Sequence, residues 1–472
     1  MKTTLFFLLL ILLNVNNSIS QNTFELLLDY ENAQRPTGLI IDNNGDYIIS
    51  SQEFIHINKN IEYNSMLTKI SPTGEVIDTA YFNTEQEIVI LDLINTKNND
   101  YILVGGDYID NNEEMCLIIM LLDEDFNIIW KKKHIKGSKI TNAKIKFNYN
   151  NEILIFGSLK EGEVYNSFIL KIDNNGELLN FKSLSTGAIT SVFDIIEKKD
   201  STGYYLFMLD GESIVKEVNN EFDITANKNM PYIIANSNNS YWITDSTYIL
   251  SGKVFDNNSD LAIVIADTSH NAIYTFSAEK EENDFPAAWD NLSFTNKNNI
   301  YLVGTNNTSF NPYETKPSFI FVNNLNDTIG LNWQKLIGGD AYYSVMNVIA
   351  TEDGGCFIAS TRSDNLYDYD MYFIKLDSNG NITHVNGEPS EQQAKEVILY
   401  PNPATTELTI RKAVQVGSCT VEFFSITGKK VLSQQLTNNT TKIDISNLQK
   451  GSYIYKITDN NKVLDSGKWI KQ

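Results

Sequence analysis

Short apolar runs rich in Ile, Val, Leu, Tyr and Phe alternate with polar turns along most of the chain. One pattern is an apolar run, a turn of the Asn-Asn-Gly or Asp-Gly kind, and a second run ending in a small residue. It begins as GLIIDNNGDYIISS (38–51) and returns at 92–106, 143–158, 194–209, 241–252, 291–305 and 347–361. Between these copies lies a second strand–turn–strand pattern, as in MLTKISPTGEVI (66–77), FILKIDNNGELLNF (168–181) and FIKLDSNGNI (373–382). Its copy at 213–224 is degenerate. Alternation with period two and Asn/Asp/Gly turns predicts β-hairpins, and no segment carries a convincing amphipathic helix period.

Copies recur roughly every 50 residues, so each unit reads as four short strands, the size of a propeller blade. Four-stranded units arranged radially close a ring and leave only short, protected edges. Seven copies predict seven blades, with six or eight as alternatives because the fourth unit is weak. The leading segment TFELLLDY (23–30) has no unit of its own and is expected to complete the last blade. A β-solenoid would want shorter rungs, and separate sandwiches would lack the uniform spacing. The expected fold is therefore all-β: a β-propeller over 21–386, followed by a small Ig-like β-sandwich.

Charge supports that division. Of 37 basic and 59 acidic residues, residues 397–472 hold ten and five, a net of +5; residues 21–396 hold 26 and 54, a net of −28. The change of sign marks two modules. The acidic balance excludes a nucleic-acid partner, since phosphates would be repelled. Lys2, the apolar run Leu5–Leu13 and the small residues Ser18 and Ser20 before Gln21 predict a cleaved signal peptide over 1–20. No other stretch reaches the ~18 apolar residues of a membrane-spanning helix, so the mature chain is expected to be soluble. Three distant cysteines, Cys116, Cys356 and Cys419, support neither a disulfide framework nor a zinc site.

Strand alternation puts the tight a–b and c–d turns on one face and the b–c and d–a connections on the other. The second set reads as long, as at 51–65, 105–115, 304–318 and 361–371, and such loops on a rigid scaffold are where function usually sits. The candidate binding residues are therefore Tyr108, Asp110, Tyr313, Asp364, Tyr367, Asp368 and Asp370. Their rings could stack on sugars and their clustered oxygens could hold Ca²⁺, although no EF-hand spacing is present and no cofactor is otherwise implied. The plainer alternative is a solvated acidic surface whose tyrosines pack loops against the rim. The four histidines (56, 134, 270 and 384) are scattered, and nucleophile-elbow, Walker and HExxH motifs are missing. A binding or adhesion role is favoured over catalysis, with a polymer-degrading hydrolase or lyase as the alternative.

Two resemblances sharpen this reading. NWQKLIGG (332–339), DGGCFIAST (353–361) and FIKLDSNGNI resemble the blade motifs of secreted bacterial propellers, across about residues 23–386. Such propellers serve many functions, so the likeness speaks to fold. After the polar linker 387–396, the block 397–472 resembles the type A C-terminal sorting domain of the type IX secretion system. Tyr400, Pro401, Asn402, Pro403 and Ala404 match its opening YPNPA. Gly428 with Lys429 matches its turn, with Thr427 in place of the usual polar residue. Leu448, Gly451 and Tyr453 match L-x-x-G-x-Y, and Lys468 and Lys471 its basic end. The resemblance implies the type IX secretion machinery as a partner and a secreted or outer-surface location, reached through the periplasm and outer membrane. In that family the domain is usually removed, and the cargo is released or attached to a surface glycolipid. An extracellular polysaccharide or protein is the remaining expected partner.

Overall fold

In the computed structural model, residues 22–382 and 397–471 are described, apart from 31, 58–59, 83–87, 110–113, 136–138, 162–163, 185–189, 211, 234–238, 256–257, 279–281, 309–316, 366–367, 401–403, 405, 413–418, 426–427, 439 and 460–461. The expected signal peptide and linker lie outside the described residues. Strands and turns make up the described chain, with no helix that could cross a membrane.

Seven antiparallel sheets follow one another in sequence over 24–376, each with strands in the order a-b-c-d from first to last. Blades 1 to 6 span 33–81, 88–133, 139–183, 190–229, 240–277 and 284–338. Blade 7 takes three strands from 342–376 and its fourth from the N-terminal strand Phe24–Leu28, which pairs antiparallel with Asp368–Leu376. The unassigned leading strand thus fastens the ring, as its sequence position suggested. In blade 6 strand a is split into Asp284–Pro286 and Leu292–Asn296, both paired to strand b.

Neighbouring blades meet through apolar faces. Leu117 and Ile119 of blade 2, for example, pack with Ile145, Ile155 and Leu170 of blade 3. Tyr47 of blade 1 stacks on Phe357 of blade 7 with centroids 4.0 Å apart. The tight turns share one construction. Asp42, Asp123, Asp173, Asp267 and Asp377 each accept two backbone N–H groups of their own loop through Oδ1.

The fourth turn residue then enters the left-handed region. In the c–d turns of blades 2, 4 and 5 that residue is Phe126, Phe222 or His270, at φ 64°, 64° and 61°. Each side chain is buried, Phe126 on Tyr101, Phe222 on Tyr204 and His270 edge-on to Tyr205. Blades 1, 3 and 7 have Gly74, Gly176 and Gly380 there instead, at φ between +72° and +89°. An aromatic from strand d of the preceding blade covers each glycine. A Cβ on it would come within 2.7–2.9 Å of Phe24, Trp130 or Trp333. One pocket per junction is filled either from its own turn or from next door.

Segments read as long b–c loops prove to be mostly strand. Gln52 to Ile57 pair with Ser65 to Asn60, Tyr108 and Ile109 with Met115 and Glu114, and Arg362 with Asp370. Runs of β-branched and aromatic residues such as Phe54-Ile55-His56-Ile57 favour strand over loop. In the 304–318 segment, most of the residues between the two strands lie outside the described ones.

The C-terminal block forms two sheets, with strands Val397–Tyr400, Glu407–Lys412 and Thr440–Asp444 in one. Lys430–Leu436, Cys419–Ser425, Gly451–Asp459 and Lys462–Lys471 make the other. Their inward residues Leu408, Ile410, Val421, Phe423, Tyr455, Ile457 and Trp469 form its core. The alternation is strict enough that Ile454, between Tyr453 and Tyr455, is half exposed.

Phe222→Ala should lower the unfolding free energy by about 3 kcal/mol or more, because it empties a buried pocket. Gly380→Ala should lower it by about 1–2 kcal/mol, because the backbone is left-handed and Trp333 lies above it. Urea unfolding of both variants checks this; an unchanged midpoint for Phe222→Ala would show that the turn side chain does not hold the junction.

Candidate functional site

Inner strands of blades 1, 2, 4 and 7 carry a β-bulge at the same level, before Gly38, Asp92, Asp194 and Asn347, and blade 3 carries one two residues earlier, before Asn142. A bulge re-aims the next side chain, and here it turns polar groups toward the ring axis and the adjoining blade. Asp92 Oδ2 accepts the N–H of Ile145 in blade 3 (3.0 Å). Asp194 Oδ2 accepts the N–H (2.5 Å) and hydroxyl (2.8 Å) of Ser240 in blade 5. Lys146 Nζ lies 2.5 Å from Asp194 Oδ1.

Blade 6 departs from its neighbours. Between its two inner segments, Ala288 and Trp289 donate N–H bonds to the carbonyls of Val345 and Met346 in blade 7, and Asp290 forms a parallel bridge with Asn347. Trp289 reaches the apolar cluster of blades 2 and 3. Asp290 becomes the hub of the ring. Its Oδ1 accepts Lys144 Nζ of blade 3 (3.1 Å) and Asn239 Nδ2 of blade 5 (2.6 Å). Its Oδ2 accepts Asn347 Nδ2 of blade 7 (3.2 Å). Lys144 also donates to the Trp289 carbonyl (2.7 Å). Asp290 keeps 29% of its side-chain surface exposed, so the hub is not sealed from solvent.

The charges settle one another. Burial penalises all of them, but Lys144 stays protonated because Asp290, Asp194 and Asp92 surround it. Asp290 is held below the usual carboxylate range by Lys144 and the amides of Asn239 and Asn347, against the effect of burial. Asp92 is pushed up to about 7 by burial and by the Asp290 charge, which Lys144 and two backbone N–H groups only partly offset. Both Asp92 oxygens face backbone donors, Leu93 and Ile145, so the carboxyl acts as a strut between blades.

A second cluster lies at the long-connection end of the seam between blades 7 and 1. Arg35, near the start of the blade 1 inner strand, sits 5.4 Å over the Phe54 ring and donates to Gln52 Oε1 (3.1 Å). Phe54 packs edge-on against Tyr63 at 5.6 Å. Tyr369 of blade 7 is within electrostatic reach of both Arg35 and Tyr342. The four rings Phe54, Tyr63, Tyr342 and Tyr369 are all half-buried, so each keeps an open portion.

Of the candidates read from sequence, Asp364 and Asp370 fall on the blade 7 hairpin. Asp364 is exposed and paired with Arg362 (3.0 Å), which also reaches Asp340 (3.3 Å). Asp370 is half-buried opposite Arg362. Asp368 lies in the same hairpin and Tyr108 in blade 2, with nothing described of their side chains; Asp110, Tyr313 and Tyr367 lie outside the described residues. Among the described residues, no three His, Cys, Asp or Glu side chains form a metal-sized group. His270 is taken up by Tyr248 (2.9 Å) and Glu217 (3.3 Å) inside the blade 4–5 junction. In the C-terminal block Gly428 (φ +81°) and Gly451 (φ +149°) occupy backbone that disfavours side chains. Leu448 packs on the core, and the Tyr453 hydroxyl donates to the Gln449 carbonyl (2.6 Å). Lys471 is buried; Tyr400 and Lys468 lie in strands, and Pro401, Asn402 and Pro403 lie outside the described residues.

Sequence reasoning missed Arg35, Phe54, Tyr63, Trp289 and the hub. The available signals were the polar residue opening the repeat copies at 92, 194, 291 and 347, and the DFPAAWDN segment (284–291) that breaks the sixth unit.

These features define an exported β-propeller. Residues 398–472 match the family model described as secretion system C-terminal sorting domain, the type IX signal that directs a protein to the cell surface or extracellular space. No curated protein matches the chain in sequence. Among solved structures it is similar to a protein of unknown function from Bacteroides caccae (13% identity, 57% of this chain and 89% of that one, TM-score 0.39). It is also similar to the β-propeller domain of the trilobed protease from Pyrococcus furiosus (8%, 75% and 98%, TM-score 0.43). A third likeness is to the polysaccharide lyase Uly1 (11%, 72% and 90%, TM-score 0.44).

Lys144→Met should destabilise the propeller by about 3–5 kcal/mol, since it leaves hub carboxylates uncompensated. Asp92 offers a pH test. Its folded value lies above the unfolded value of about 3.9, so the folded state holds the extra proton and this contribution to stability declines as pH rises from about 4 to about 7. Asp92→Asn should therefore gain on wild type between pH 5 and pH 8. A constant difference in urea midpoint across that interval would count against the hub's electrostatics.

Proposed function

We propose that this exported propeller is a binding module that engages an extracellular polysaccharide at the long-connection end of the blade 7–blade 1 seam. The observation that carries the reading is the gathering of half-open rings, Phe54, Tyr63 and Tyr369, around one arginine, with Tyr342 beside Tyr369. Aromatic faces of this kind offer large contact area at little conformational cost and stack well on sugar rings. On the opposite face, the carboxylates of Asp42, Asp123, Asp173, Asp267 and Asp377 hold the backbone of their own tight turns, and Glu177 and Asp223 pair with lysines of the preceding blade. At the axis, the hub charges are matched to one another and to backbone groups, which favours recognition over turnover.

Two measurements test the proposal. Deletion of 397–472 should leave the propeller inside the cell envelope, and fractionation should find it in the periplasm rather than in the medium or on the surface. On a glycan array, with and without Ca²⁺, the full mature chain should bind saturably. The double variant Tyr63→Ala/Tyr369→Ala should lose at least tenfold in affinity while still melting cooperatively. Undiminished binding by that variant would place the site elsewhere, and no glycan binding by folded wild type would leave a protein partner.

A further inference from the structure

Among the described residues, Arg35 is a cation without a counter-ion: one terminal nitrogen donates to Gln52 Oε1, the buried Nε has no partner, and no described carboxylate lies within ion-pair distance. Arg362, one blade away, holds two acids by contrast. Glu53 is next to Gln52 on the strand, but alternation sends it to the other face of the blade, where Asn32 (2.8 Å) and Asn64 (3.2 Å) hold it. Gln52 is itself tied at its amide nitrogen to the Ile90 carbonyl of blade 2 (3.5 Å), which keeps its oxygen on Arg35. The guanidinium is thus held among Phe54, Tyr63 and Tyr369, with most of its five donors unused by the described residues.

A guanidinium packed among rings is ordinarily paired with an acid, because burial disfavours its charge. Its planar fork matches a carboxylate through two parallel hydrogen bonds. We propose that Arg35 is the carboxylate-binding residue of a subsite for an acidic sugar, with the uronate carboxylate on the fork and the pyranose face against Tyr63 or Tyr369. This rests on the polysaccharide reading above and gives it a substrate class. The rings favour a sugar acid over a bare anion, which would gain nothing from them. The net charge of −28 over residues 21–396, where 26 basic residues face 54 acidic ones, disfavours a dense polyanion. One seated carboxylate suffers less, because charges beyond about 8 Å are screened at physiological salt.

Calorimetric titration of the full mature chain tests this with a glucuronate-containing trisaccharide and its carboxyl-reduced counterpart. Wild type should prefer the acid at least tenfold. Arg35→Gln should bind both sugars alike and weakly, and Arg35→Lys, which keeps the charge but loses the fork, should fall between. If Arg35→Gln fails to fold, the lysine variant still reads the preference. Equal binding of the two sugars by wild type, or a preference retained in the folded variants, would overturn the role of Arg35 while leaving glycan binding intact. Binding of neither sugar nor any arrayed glycan would overturn both readings.

Discussion

The ion pair between Lys144 and Asp290 spans the axis and sets the terms for the rest of the ring. A lysine from blade 3 meets a carboxylate from blade 6, and the same carboxylate takes amides from blades 5 and 7. Each of these groups would be costly alone, by several kcal/mol for an unpaired buried charge. They are tolerable only when the blades stand at the right angle and level. The hub therefore disfavours rings with a different register more than it adds to the stability of this one. In blades 2, 4 and 7, inner-strand bulges turn Asp92, Asp194 and Asn347 toward their neighbours.

Away from the axis, the same one-partner-per-junction logic is carried by apolar contacts. The left-handed turn position holds either a large side chain of its own or a glycine beneath the neighbour's aromatic ring. Both solutions fill one pocket, so a sequence can change from one to the other without altering the blade angle. Ring closure uses the second solution. Phe24, on the strand that completes blade 7, lies over Gly74 of blade 1 and contacts Tyr47 and Phe357. The last junction is thus built like the others, although its two sides come from opposite ends of the propeller.

Much of this architecture is legible in the sequence because period-two alternation and turn chemistry act locally. Repeats such as DLINTKNNDYILVGG carry their strands, their turn and even their post-bulge Asp92 in one stretch. The degenerate fourth unit still folds as a blade because Phe207, Val215 and Phe222 supply its buried positions. Convergence was not legible. Nothing near Lys144 in sequence announces Asp290, 146 residues on, and Arg35 looks like any surface cation until the seam is closed around it. Loop length misled for a related reason: polar residues of hairpins such as 51–65 read as loop, yet their backbones pair as strand and Ser51, Gln52, Glu53 and Ser65 are buried.

The contrast between the two charged centres decides where binding belongs. At the hub, three carboxylates face two lysines, and Asp92, whose value is raised to about 7, can take up a proton to close the remaining imbalance. Every formal charge there has an answer within the chain. At the seam, Arg35 has an amide and aromatic faces but, among the described residues, no acid, in a propeller with twice as many acidic as basic residues. A surplus of acids makes an unpaired arginine easy to avoid, since almost any exposed position nearby could supply a partner. Gln52 occupies the position directly across the strand pair, where a glutamate would complete an ion pair with almost no change in shape. Glutamine there orients the guanidinium without neutralising it, which is the arrangement expected of a residue whose counter-ion arrives on a ligand.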